Sequence, residues 1–163
     1  MVLTPADRPV KPCENVTVSL TVHNTGMVDG SEVVQLYAAW SGAGLGESPV
    51  ADLTLLGFEK VLVPKGGSAT VSMVVDARHY SVLQEQPLGR PTATEPNGSW
   101  VPPAWVMKPV TVTLHAGGQQ PTATPRLPSN VLSASFTVAG DGTPASRCPK
   151  YYPHDHRGPT IHA

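Results

Sequence analysis

The acids Glu14, Asp29, Glu32, Glu47, Asp52, Glu59 and Asp76 lie singly along the first half of the chain. Hydrolysis by paired carboxylates needs two of them about 5 Å apart across the scissile bond. Isolated acids of this kind read instead as solvated positions on strands and loops. The tail segment His154-Asp155-His156, with His162, offers imidazole and carboxylate ligands of the sort zinc or copper takes. It carries no apolar period, and an unstructured polar tail is the favoured reading. His23, His79 and His115 fall in separate strands or strand ends. Cys13 precedes the first strand with no Cys-His-Met cluster to follow, so a blue-copper arrangement fails. No Gly-x-Ser-x-Gly elbow, phosphate loop or Cys-x-x-Cys pair occurs. The residues therefore assign no catalytic, cofactor-binding or metal-binding group.

Three tryptophans offer surfaces on which a sugar ring could stack. Trp40 shares a strand face with Val34, Leu36 and Ala38, which favours burial at the core or its rim. Trp100 lies in a Pro-rich stretch. Trp40 and Trp100 are the candidate glycan contacts. Asn15-Val16-Thr17 and Asn97-Gly98-Ser99 are glycosylation sequons that would act in a secretory compartment. Cys13 and Cys148 sit near opposite ends, and because Cys148 belongs to an unpatterned tail the expectation is two free thiols. A secreted location is slightly favoured, yet the start at Met1 lacks the basic and apolar runs of a signal peptide. Compartment stays open.

Elements able to position such groups follow from composition and period. Charged residues make up only 14% and prolines number 18, a balance that disfavours long helices and favours strands joined by rigid loops. A net charge of −1 gives no field for nucleic acid, and no stretch approaches the roughly 20 apolar residues of a membrane helix. Val16, Val18, Leu20 and Val22 alternate with polar residues, as do Val34, Leu36, Ala38 and Trp40. Further strands are expected at Leu53–Leu56 and Phe58–Val63, at 69–76, at 110–116 and at 132–138. Turn chemistry separates them at Asn24-Thr25-Gly26, Asp29-Gly30 and Pro64-Lys65-Gly66-Gly67. Residues 1–13 read as an irregular lead-in, 14–140 as one domain with a Pro-rich insert at 84–104, and 141–163 as a disordered tail. About seven short strands with under about a tenth helix indicate an all-β antiparallel sandwich, with a barrel as the alternative. Gly26 is expected at a positive φ, Gly57 at a bulge or close backbone approach, and Phe58 as a plug in the core.

The string Asn24-Thr25-Gly26, Gly30, Glu32, Gln35, Tyr37, then Pro49, then Gly57-Phe58 with Lys60, then Gly66, resembles the fibronectin type III-like domain at the C-terminal end of family 3 glycoside hydrolases. Leu55 supplies the leucine two residues before Gly57, and Trp105 with 110–117 resembles the family's closing tryptophan and strand. The match runs in order over roughly residues 14–140; Lys108-Pro109 stands where a proline-glycine turn is usual. The resemblance implies an immunoglobulin-like sandwich and a non-catalytic module of a β-glucosidase or β-xylosidase. Its nucleophile and acid/base carboxylate would lie in other domains. It also implies no cofactor and, as partners, those catalytic domains, with carbohydrate the alternative. Apolar residues outside any strand period, Leu45, Leu88, Trp100 and Val101, place the expected docking face near loop 41–49 or the insert.

Overall fold

The computed structural model describes residues 1–46, 48–84, 104–122 and 130–148. Alternation becomes sheet as expected. Strand β1 (Val2–Thr4) lies beside β2 (Val16–His23), and β2 pairs with β5 (Ser68–Val75) in an antiparallel three-stranded sheet ordered β1-β2-β5. The second sheet runs β4-β3-β8-β9, built from β4 (Thr54–Val63), β3 (Gly30–Ser41), β8 (Thr111–Gly117) and β9 (Val131–Thr137). Register places Val18 opposite Met73 and Leu20 opposite Val71 in one sheet, and Leu36 opposite Ala116 and Ala38 opposite Leu114 in the other. These residues are all buried and form one cluster between the sheets. Each buried Val or Leu stabilises by roughly 1.5–3 kcal/mol relative to exposure. The sandwich reading holds.

Two features at the strand ends are fixed by single residues. Asn24 donates its side-chain amide to the carbonyls of Val28 and Val63, at 2.8 and 3.0 Å, and accepts the Gly26 N–H at 2.8 Å. The turn between β2 and β3 is thereby tied to the end of β4. Gly26 is not among the glycines at positive φ; the expectation of strain there is corrected. A side chain at position 26 would instead bring its Cβ to 3.0 Å from the Asn24 oxygen. Gly66 does hold φ 64 in the tight β4–β5 turn, where L side chains are disfavoured.

Gly57 belongs to one continuous strand, not to a break between two. Leu36 faces Gly57 and Tyr37 faces Leu55, so Leu56 is the extra residue of a bulge. A bulge switches the parity of the strand beyond it. Leu55 and Phe58, three apart, therefore share the sheet's outer face, while Leu56 and Val61 pack on the core. Phe58 is 60% exposed. The expected core plug is corrected: its paired position, Gln35, belongs to the outward set.

The ends of the chain also differ from expectation. Residues 1–13 are no irregular lead-in, because β1 pairs with β2 and the buried Val10 forms a parallel bridge with Val138. Nor does a loose tail begin at 141. Thr143 and Met107 are hydrogen-bonded, Ala145 is buried in a short 3-10 turn, and Cys148 is buried beside it. Cys13 and Cys148 are disulfide-bonded, against the expectation of free thiols. The turn at 145–147 brings Cys148 onto the domain, which the unpatterned sequence did not indicate. Short strands β6 (Val82–Gln84) and β7 (Ala104–Val106) pair as a stem at the bounds of the expected insert. Asn97, Trp100, Leu88, Val101, Glu47 and the tail histidines lie outside the described residues.

Candidate docking face and adjoining cleft

The outer face of the four-stranded sheet divides into two chemically different halves. Toward β8 and β9 it carries small polar groups: Thr113 and Ser135 hydroxyls are 3.0 Å apart, and His115 Nδ1 lies 2.7 Å from Ser133 Oγ. Toward the edge strand β4 it is largely apolar, broken by the exposed Lys60 between Phe58 and Leu62. Phe58 is joined there by Leu62, 65% exposed, Leu55, 48% exposed, and Val33, 38% exposed. Tyr37 stands opposite Leu55, its hydroxyl donating to Gln35 Oε1 at 2.6 Å. From Leu55 to Leu62 a strand rises on the order of 20 Å. Met27 and Val28, on the turn that Asn24 holds to the end of β4, are exposed as well. Exposed apolar residues grouped on one strand face mark an interaction site more often than scattered single residues do.

Leu55 also borders a cleft of about 300 Å³ between the start of β4 and the β6–β7 stem. Trp40 and Trp105 form part of its walls, with Val50, Leu56 and Val82 between them. Trp105 is 49% exposed, so the family tryptophan is half on the surface. Trp40 packs against the core, as its strand face predicts, and its indole N–H is buried without a hydrogen-bond partner among the described residues. In the loop 41–49 two residues are held from below. Leu45 packs on the core, and Lys108 Nζ donates to Ser48 Oγ at 2.7 Å. Residues 41–43, 46 and 49 of that loop are exposed, and most of the insert lies outside the described residues.

Polar residues of the cleft floor come from α1 (Ala77–Tyr80). Asp76 caps this helix by accepting the Arg78 N–H at 2.9 Å, and the Arg78 guanidinium donates to both carboxylate oxygens. His79 Nδ1 lies 3.1 Å from the Asp76 N–H and 3.0 Å from Oδ1. The neutral ring accepts from the former and the protonated ring donates to the latter. Burial alone would push the Asp76 carboxyl up, but the hydrogen bonds from His79 and Arg78 together outweigh it and hold the group well below the usual carboxylate range. A depressed folded-state pKa contributes stability above the unfolded value and loses it as pH falls. Denaturant midpoints should therefore drop from about pH 5 to pH 2, and Asp76→Asn, weaker at neutral pH, should drop less steeply. Parallel pH profiles for the two proteins would contradict this role. Glu14, hydrogen-bonded to Arg8 and to the Lys11 N–H, is held down to about 2 and adds to the same acid-side slope.

Other family-motif residues make local contacts or lie exposed. Glu32 accepts the Val33 N–H at 3.0 Å and fills the space a side chain at Gly118 would need. Asp29 accepts the Lys65 N–H at 2.8 Å. Thr25, Gly30 and Lys60 are exposed, and Asn15 is exposed just before β2. Among the described residues no group of three or more His, Cys, Asp or Glu could hold a metal, and no helix is long and apolar enough to cross a membrane.

An antiparallel sandwich with this strand order is immunoglobulin-like in architecture. The fibronectin type III-like domain family matches residues 32–120, more than half the chain, and the chain belongs to that family. It is 46% identical over 68 residues to probable beta-glucosidase M of Emericella nidulans, covering 42% of this chain and 8% of that protein. Against probable beta-glucosidase N of the same organism it is 39% identical over 71 residues, covering 44% and 10%. Among solved structures, a beta-glucosidase from Listeria innocua aligns over 85% of this chain and 15% of its own, with TM-score 0.57 and 18% identity. A beta-glucosidase involved in saponin metabolism from intestinal bacteria aligns over 84% and 15%, with TM-score 0.58 and 20% identity. These structures share the fold. The chain thus spans about a tenth of the length of the curated relatives it matches.

Proposed function

We propose that this chain is a non-catalytic structural and interaction module of a family 3 glycoside hydrolase, supporting β-glucosidase catalytic domains by covering part of their surface. The observation that carries this is the apolar half-face of β4 and β3. A solvated sheet face normally alternates apolar-in with polar-out; Leu55, Phe58, Leu62 and Val33 depart from that rule, while Lys60 among them and the β8–β9 half obey it. A partner of ordinary interface size would cover on the order of 800 Å² here. Asp76 and Glu14 are each engaged by an arginine. The disulfide suits an oxidising compartment, and exposed Asn15 suits glycosylation there.

Phe58→Asp separates docking from folding. Phe58 sits on the solvent face, so the variant should melt within a few degrees of the parent. It should lose binding to a family 3 β-glucosidase truncated before its own fibronectin type III-like domain. Sedimentation of the mixture reads the complex. Equal binding by both proteins would remove β4 from the interface, and absence of binding by the parent would remove the function.

A further inference from the structure

We infer that Asn15 is an N-glycan attachment site, and that its glycan stands over the outer face of the three-stranded sheet, on the side of the sandwich turned away from β4. This goes beyond the docking reading and does not need it. The sequon Asn15-Val16-Thr17 is complete, with no proline at its middle position, and such a sequon is an acceptor where a secreted chain exposes it. The fold gives it a suitable setting. Asn15 is exposed just before β2, Val16 beside it is fully buried, and Thr17 is half-buried in the strand. The Asn15 side chain makes no hydrogen bond among the described residues. Modifying its amide therefore breaks no contact, while Val16 anchors the backbone beneath it.

Room for a glycan follows from the register. Thr17 stands opposite Thr4 on β1 and Val74 on β5, and both neighbours are exposed. Val2, opposite Ser19, is exposed on the same face. The first sugars of a glycan meet hydroxyls at Thr17 and Thr4 and an apolar surface for their C–H faces at Val74. Phe58 and Leu62 lie on the outer face of the other sheet. A bulky, solubilising group at Asn15 thus leaves them uncovered.

The disulfide bears on both the compartment and the order of events. A Cys13–Cys148 bond belongs to an oxidising compartment, which is also where sequons are used. The cysteines are 135 residues apart, so Cys148 is synthesised on the order of ten seconds after Cys13 and Asn15. Strand β5 also follows, and a lone β1–β2 pair is marginal in water. The sequon therefore meets the transferase as open chain, before the bond and the sheet close around it. In the transfer, Asn15 Nδ2 attacks the anomeric carbon of a lipid-diphosphate-linked oligosaccharide. The new N–C bond replaces the C–O bond to diphosphate, the amide gives up one proton, and the lipid diphosphate leaves.

The test uses the full chain, secreted from yeast behind a cleavable leader, with Asn97→Gln so that Asn15 holds the one remaining sequon. Peptide mass spectrometry should find a glycan on residue 15 in most molecules. An amidase specific for N-glycans should release it and leave an aspartate at that position. Thr17→Ala should lose the glycan and Thr17→Ser should keep it, with melting temperatures verifying that each variant folds. Nuclear magnetic resonance spectra taken before and after release should show the Val74 methyls shifting and the Phe58 ring unmoved. An unmodified residue 15 in the folded, secreted parent, or a glycan that persists in Thr17→Ala, would overturn the site. A Phe58 ring that shifts while Val74 stays still would overturn the placement. None of these readings uses the catalytic partner, so failure of this inference and failure of the docking function are told apart.

Discussion

Reduction of the Cys13–Cys148 bond is expected to destabilise the domain by about 3–5 kcal/mol, the effect of releasing a loop of well over a hundred residues in the unfolded chain. The two cysteines are 135 residues apart, so reduction frees nearly the whole domain. At roughly 2–4 °C per kcal/mol for a chain of this size, the melting temperature should fall by on the order of 10 °C. The bond also holds two local structures together. Cys13 donates its N–H to the Met107 sulfur at 3.2 Å, and Cys148 ends the turn whose Ala145 is buried in the core. Cys148→Ser should reproduce the loss without reductant, and thiol titration of the denatured, unreduced parent should find no free thiol. Two free thiols, or equal melting with and without reductant, would contradict the bridge.

Tyr80→Ala should be the most damaging single side-chain truncation, costing roughly 3–5 kcal/mol for transfer plus cavity. Tyr80 is fully buried at the end of α1, donates its hydroxyl to the Glu14 carbonyl at 2.9 Å, and meets Phe136 edge-on with ring centres 6.2 Å apart. It thus joins the segment before β2, the helix and β9 in one contact. Tyr80→Phe should cost about 1 kcal/mol, since the ring remains and only the hydrogen bond is lost. Burial, with the nearby charges of Asp76 and Glu14, pushes the Tyr80 phenol up to about 12. A raised folded-state pKa means the stabilisation is complete below the unfolded value near 10 and is lost as pH climbs toward 12. Tyr80→Phe should flatten that alkaline loss. Chemical denaturation of the three proteins at neutral and alkaline pH measures all of this; a Tyr80→Ala variant as stable as the parent would mean the core is centred elsewhere.

The strands that form the two main sheets were legible because each has one buried face, and period-two alternation records that directly. Val16 to Leu20 and Val34 to Ala38 are examples. The motif resemblance carried the fold further, since Asn24, Glu32 and Gly66 each perform a local task visible in their chemistry. Phe58 was misplaced for a physical reason. A bulge at Leu56 shifts parity within an edge strand, and an apolar residue on an outward face looks, in sequence, like any other core residue. The exposed apolar residues of β4 were therefore not separable in sequence from core positions. Strands β1, β6 and β7 have three residues each, too few for a period to register. The Cys13–Cys148 bond was illegible because nothing in the sequence near Cys148 announces the turn that folds it back onto the sandwich.

The most direct test of the central claim is the rate of aryl β-glucoside hydrolysis as the chain is titrated into a family 3 β-glucosidase truncated before its fibronectin type III-like domain. The chain alone should release no product. The truncated enzyme, held at a temperature where it inactivates, should keep a rate that rises with added chain and saturates as the complex fills. Product formation by the chain alone, or a truncated enzyme whose rate and survival are indifferent to it, would contradict a non-catalytic module that supports a catalytic partner.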